Sequence, residues 1–525
     1  MFRKVKDWVK THKTAFALII TILFVAVHIP LVITHENWND EAVSWALSRE
    51  INITNIYEIN NAEPHPLLWQ LILAPFSKLG LPFDTISYIS LAFVALAVFL
   101  FIRFAPMNGL FKFAFLISAG FFYFLPVISR DYSLVPLAIA LVCIAYKSRH
   151  EKPFLYGLAV AFLTQTHFLM YGFAAALGVG FVTEELVKKE KLSKRFKRVV
   201  LFALPIIISI ASVIPIVINS FNNQAMLSGK VYEGVSEEYM EPFWPNFVAG
   251  FFGADSDTLR AILIIITAIF AVGLLSKNIK IFLYFACGVG LWVYEMACLY
   301  KGFVVIAPKV SLIVLMVLAA SWLVYLESSE KENIIAKIFS HSEIIKIAKK
   351  NGIKNIYVVF ASIIAISTTI HVYRSSRDDI EYLFTDAKEV AESINKLEEG
   401  SLIIQSDVSS SLNAAIHEYI NKDFVYYNYL TNSVQEPEDY LKYNNDMVES
   451  YENVGITNEE LMSLLTYATQ TYDHVYYLAR KPSCSSYSSD NIDILNKLEL
   501  VETVHKNGGN LLSISAPPVN IYKVK

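Results

Sequence analysis

Residues 15–34 read AFALIITILFVAVHIPLVIT, twenty positions without a Lys, Arg, Asp or Glu. A helix of that length rises about 30 Å, the thickness of a bilayer's hydrocarbon core, so the stretch predicts a transmembrane span. Arg3, Lys4, Lys6, Lys10 and Lys13 precede it. Such a charged start suits a signal peptide, yet the apolar run is longer than a signal h-region and no small-x-small cleavage site follows. It reads as a signal anchor whose start stays cytoplasmic.

Comparable runs lie at roughly 86–103, 111–128, 132–147, 153–168, 171–186, 199–218, 259–276, 280–299, 303–326 and 355–373, which predicts eleven spans. The composition agrees: of 525 residues 54% are hydrophobic and 18% charged, and the mean hydropathy is +0.43. The surplus apolar surface needs lipid. A net charge of -4 excludes the basic balance of a nucleic-acid binder. Cys143, Cys287 and Cys298 sit in apolar runs and Cys484 stands alone, so no disulfide framework is expected.

Segment 65–79 decides the orientation, because counting it as a span inverts every later loop. With it outside the bilayer, the cytoplasmic stretches carry 25 Lys/Arg and the outer stretches between the spans five, namely Arg49, Lys78, Arg130, Lys230 and Lys301. That bias follows the positive-inside rule, so 65–79, with its Gln70, Pro75 and Lys78, is read as lying along the outer surface. Residues 35–85 then form an outer loop with two interfacial helices, and 374–525 follow the last span on the same side. This tail alternates helical patterns (387–399, 412–421) with strand-like ones (402–405, 424–430, and near 475, 511 and 521), which predicts a small α/β domain. Its 12 Lys/Arg face 24 Asp/Glu, so the near-neutral chain has a basic inner side and an acidic outer domain. The expected organisation is an all-α polytopic membrane domain over 1–373 and a soluble α/β domain over 374–525.

Ionisable residues gather where this topology puts the outer face. Asp40 and Glu41 follow the first span, beside Trp38 and Trp45, where a paired acid suits a general base. The plainer reading is a helix start capped by Asn39 or Asp40. Glu63-Pro64-His65-Pro66 fixes an imidazole at a helix entry, suited to a phosphate or sugar contact. Arg130, in Ser129-Arg130-Asp131-Tyr132, offers a planar fork for two anionic oxygens, or else reaches lipid headgroups. His167 lies at the next outer helix end, and Glu295 and Lys309 are ionisable at membrane depth, where such groups are costly. All fall on one side, which favours one shared site beneath the tail domain.

These pieces resemble the polytopic glycosyltransferases of the GT-C fold, near the protein O-mannosyltransferase and aminoarabinose-transferase branch. The matching residues are Asp40-Glu41-Ala42 after the first span, His65-Pro66 opening the second loop helix, Arg130-x-Tyr132, and Thr166-His167, over about 15–190, with a weaker echo in Pro308-Lys309. Many relatives have His-Pro-Pro where this chain has His65-Pro66-Leu67, and Pro-Arg-Tyr where it has Pro308-Lys309. The resemblance implies an inverting transfer of a sugar from a polyprenyl-phosphate donor to an extracytoplasmic glycan, lipid or protein acceptor at the plasma membrane. It implies Asp40 as the base with Glu41 in support, and His65, Arg130, Tyr132 and Lys309 at the donor phosphate. Glu63, His167 and Glu295 are supporting candidates. No metal or other cofactor is expected, since the first loop has no Asp-x-Asp pair and no Cys/His ligand spacing is seen, although some relatives use a divalent ion. The alternative classes are a transporter or lipid-linked sugar flippase, which calls for mid-membrane polar residues or repeated halves, and a receptor anchored by its spans.

Overall fold

A computed structural model describes residues 2–57, 65–222, 243–299, 306–327, 355–381, 384–405, 413–428, 433–435, 458–479, 492–504 and 519–525. Helix α1 (Phe2–Thr11) leads into α2 (Lys13–Thr34). On α2 the side chains of Leu18, Ile19, Ile22, Leu23, Val27 and Ile33 are exposed. In water such a stripe would drive aggregation; toward lipid it is the expected face.

Two helices, α3 (Asn39–Glu50) and α4 (Leu68–Lys78), pack on each other before α5 (Thr85–Phe104). Then come α6 (Gly109–Leu116), α7 (Val135–Tyr146) after a 3-10 turn at Asp131–Leu134, α8 (Pro153–Thr164), α9 (Tyr171–Val187), α10 (Leu192–Asn222), α11 (Phe243–Phe252), α12 (Asp257–Leu275), α13 (Ile279–Tyr294) and α14 (Ala307–Glu327). Helices α15 (Ile356–Ser367) and α16 (Thr369–Glu381) form one nearly continuous rod. The tail supplies α17 (Ala387–Ile394), α18 (Asn413–Tyr419), α19 (Asn458–Thr471) and α20 (Ile492–Lys497).

Eight of these segments are long and apolar enough to cross a membrane: Lys13–Thr34, Thr85–Phe104, Phe168–Val187, Leu192–Ile218, Asp257–Leu275, Ile279–Ala297, Ala307–Glu327 and Ile356–Glu381. The chain is a helical membrane protein. Helix α14 is its pillar, with 89% of its most apolar stretch buried against 28% for α2. Of the remaining expected spans, Asp131–Tyr146 and Pro153–Thr164 are shorter apolar helices.

The helix expected over 111–128 stops at Leu116, and 117–130 run as turns. Ser118 Oγ donates to the Phe115 carbonyl at 2.7 Å and accepts from the Gly120 amide at 3.3 Å, so the side chain takes over the backbone's bonding. A Cβ on Gly120 would lie 3.2 Å from Leu315 Cδ2, so the turns nestle against α14. The apolar composition of this stretch reflects burial in protein, which is where non-helical backbone is tolerated in a helical bundle.

In the tail, β1 (Leu402–Gln405), β2 (Val425–Asn428), β3 (Ser433–Gln435), β4 (Val475–Ala479), β5 (Leu498–Val504) and β6 (Val519–Val524) make one sheet in the order β3-β2-β1-β4-β6-β5. β1 is parallel to β2 and β4; the outer pairings are antiparallel. The strand expected near 511 lies outside the described residues, and β3, β5, α19 and α20 were not anticipated. Buried Trp45, Trp69, Phe83 and Ala42 join Val390, Ile394, Ile403 and Phe424 in one apolar cluster, so the sheet domain sits on the α3–α4 loop. Polar bonds stitch the seam. Asp84 accepts from Tyr419 at 2.9 Å and from Lys388 at 3.2 Å, and Arg49 pairs with Glu418.

Candidate functional site

Helix α3 begins just after α2 ends, so its first turn carries two acids in different surroundings. Glu41 is fully buried: Oε2 accepts the Trp38 amide at 2.8 Å, and Oε1 accepts the Ser129 amide. The Trp38–Glu41 bond is the reciprocal half of a capping box, so the cap position is Trp38, in place of the Asn39 or Asp40 expected. Asp40 turns the other way, with 39% of its side chain exposed, and its Oδ2 lies 2.7 Å from Arg130 Nη1. Of the two acids, Asp40 is the one open to the surface.

Arg130 is nearly buried and sits at the cap of the Asp131–Leu134 turn. Asp131 Oδ1 accepts the Tyr132 amide at 2.9 Å, and its Oδ2 lies 3.7 Å from His65 Nδ1. The His65 ring is 4.9 Å from that of His167, whose ring is 6.2 Å from that of buried Tyr132. Lys309, in the first turn of α14, lies in the electrostatic field of Arg130, Asp40 and Asp131. Thus Asp40, Glu41, His65, Arg130, Tyr132, His167 and Lys309, from five separate segments, form one cluster. Glu295 stands apart, in a π-helical turn near Tyr171. Glu63 lies outside the described residues.

The cluster mixes signs, with Arg130 and Lys309 beside Asp40 and Asp131. Asp131, His167 and Lys309 stand at the N-terminal ends of α7, α9 and α14, so three parallel helices point their positive ends at the cluster. Burial, with Arg130 and Lys309 nearby, pushes His65 down to about 3, so its imidazole is neutral at ordinary pH. His65, Asp131 and His167 bring ligand atoms within 4.8 Å of one another, a set that could hold a divalent ion. Two observations weigh toward an anion. Arg130 and Lys309 offset the carboxylates Asp40 and Asp131 that would otherwise draw a cation. The Leu169 amide donates to His167 Nδ1 at 3.1 Å, which leaves the proton of the neutral ring on Nε2, a donor rather than a metal ligand.

At the opposite ends of the same three helices lies a second charged network. Arg149 bonds Glu184 at 2.8 Å and Glu327 at 2.7 Å, Lys280 reaches both, and Tyr146 donates to Glu327 at 2.6 Å. Its charges are mutually compensated, and it ties α7, α9, α13 and α14 together where the sequence is most basic.

Sequence reasoning missed His35, Tyr123 and Asp379. His35 Nδ1 lies 3.0 Å from Asp379 Oδ2, and Tyr123 donates to the same oxygen at 2.8 Å. The one available signal was position: His35 closes the first span and Asp379 the last. No family model and no curated protein matches the chain.

Proposed function

We infer that the protein is an inverting glycosyltransferase of GT-C architecture. It moves a sugar from a polyprenyl-phosphate donor to an acceptor hydroxyl or amine on a cell-envelope glycan, lipid or protein. The observation that carries this reading is the pairing of one reachable carboxylate, Asp40, with Arg130 at 2.7 Å, beside Lys309, His65, His167 and Asp131 at three helix N-termini. An acid to take a proton stands beside groups that hold phosphate.

In the reaction the acceptor oxygen or nitrogen attacks the anomeric carbon from the face opposite the phosphate. The new bond forms as the carbon–oxygen bond to phosphate breaks, the acceptor's proton passes to Asp40, and polyprenyl phosphate leaves with the bonding pair. Arg130 and Lys309 stabilise the negative charge that grows on the leaving oxygens, and the neutral His65 and His167 rings can donate to them. Tyr132 packs its ring beside that of His167. A phosphate leaves readily as a stabilised anion, so cations matter more than a strong general acid. Holding donor and acceptor in line supplies much of the remaining barrier reduction. Glu41 is too enclosed to touch substrate and acts through the backbone it holds.

In this reading the site and tail are extracytoplasmic, the N-terminus is cytoplasmic, and the protein resides in the plasma membrane. The 25-to-five Lys/Arg bias supports that orientation, with the Arg149–Glu327 network on the inner side. α3 and α4 lie along the outer surface, and α7, α8 and the stretch 109–130, whose helix α6 and buried turns lead back to the outer face, are read as completing eleven crossings with the eight longer spans.

Reconstitution into vesicles with radiolabelled polyprenyl-phosphate hexose or pentose tests the function. Transfer of label to a water-soluble or lipid acceptor, with inverted anomeric configuration, is the expected result. Movement of intact donor between leaflets without cleavage would instead establish a flippase.

A further inference from the structure

Glu41 is a staple between two pieces of the site. Its Oε2 holds the amide of Trp38, two residues before Asp40, and its Oε1 holds the amide of Ser129, the residue before Arg130. Asp40 Oδ2 and Arg130 Nη1, 2.7 Å apart, each stand within two residues of an amide held in this way. A buried carboxylate is costly unless a charge partner is buried with it. The partner is His35, whose Nε2 lies 3.6 Å from Glu41 Oε2, both side chains being fully enclosed. At that separation the contact is charge attraction rather than a hydrogen bond.

His35 is itself held on its other edge. Asp379, in the last turns of α16, bonds Nδ1 at 3.0 Å, and Tyr123 fixes the Asp379 carboxylate at 2.8 Å. Phe384, just past α16, lays its ring 4.5 Å from that of His35 and 6.3 Å from that of Trp38. Thr385 then donates to Glu36 at 2.9 Å. The chain entering the tail domain therefore grips the residues that precede Asp40.

We propose that His35, oriented by Asp379, is a positioning residue for sugar transfer: it neutralises Glu41 in the interior and so fixes Asp40 and Arg130 in register, coupling the root of the tail domain to the reacting groups. This rests on the proposed glycosyltransferase function for its kinetic consequence, though not for its structural one. Asp40 and Arg130 meet substrate; His35 and Asp379 act on them through Glu41.

The test uses the full-length protein in detergent or vesicles, with polyprenyl-phosphate sugar as donor. His35→Gln and Asp379→Asn should each lower kcat by about 30-fold or more while changing the donor KM by less than about threefold, because register and not donor binding is lost. In a Glu41→Gln background His35→Gln should add less than about twofold, since a residue acting only through another is non-additive with it. Tyr123→Phe removes one hydrogen bond and gives a milder loss in the same direction. Glu381→Gln, on the same helix but exposed, is the control with unchanged kcat.

Hydrogen exchange without substrate gives an arm independent of activity. The Trp38 and Ser129 amides should exchange about tenfold faster in His35→Gln. Wild-type kcat with unchanged exchange in both His35→Gln and Asp379→Asn would overturn the proposal, as would equal losses from His35→Gln in the wild-type and Glu41→Gln backgrounds. Faster exchange in a protein whose wild type transfers no sugar would leave the staple standing and sink the glycosyltransferase reading.

Discussion

Two neighbouring acids, Asp40 and Glu41, look equivalent in sequence and are divided by burial. The sequence indicated the pair; which one is reachable depends on Ser129 and Arg130, about 90 positions away. Arg130→Lys keeps the charge but not the fork, so kcat/KM for the lipid donor should fall about 10- to 100-fold in steady-state assays. His35 yields a stability prediction. Burial disfavours its charge, but Asp379 and Glu41 together outweigh that and raise it to about 10. The folded state then holds a proton that the unfolded chain, near its ordinary 6.5, releases. The stabilisation is complete below about 6.5 and is lost as pH rises through about 10. Thermal melts of wild type should lose Tm between those limits, and His35→Gln should show a flatter profile there. Glu36, raised to about 8 by burial and by Glu389, contributes a fall of the same sign up to that pH and is unchanged in the variant.

At the scale of elements, hydrophobic run length located the long helices well, because lipid demands about 20 apolar residues whatever the fold. It misread 117–128 as helix, because protein burial and lipid burial select the same side chains. Only Ser118, Gly120 and Pro126 hinted at the turns. Glycines are similarly ambiguous until packing is known. A Cβ on Gly157 of α8 would run into the Phe202 carbonyl of α10, where the backbone cannot yield. Gly157→Ala should cost about 1–3 kcal/mol, measured as a loss of Tm in detergent. Gly290→Ala, with nothing within 4 Å of the new Cβ, should be neutral or slightly stabilising.

Taken whole, the molecule has two charged ends joined by three parallel helices: a compensated network around Arg149 and Glu327, and a mixed cluster around Arg130, Lys309, Asp40 and Asp131. The gathering of the weak motifs at one end of the helices was legible in sequence. The fit of the tail against α3 and α4 was not, since contacts such as Tyr419 to Asp84 join residues hundreds of positions apart. Sidedness is open to direct measurement. In a cysteine-free background, Lys194→Cys should react with an impermeant maleimide only after permeabilisation, and Lys396→Cys in intact cells. If Asp40 is the base for transfer from a polyprenyl-phosphate sugar, the Asp40→Asn variant in single-turnover transfer should slow the chemical step by about 10²- to 10⁴-fold with donor still bound. A fully active Asp40→Asn protein would contradict that role.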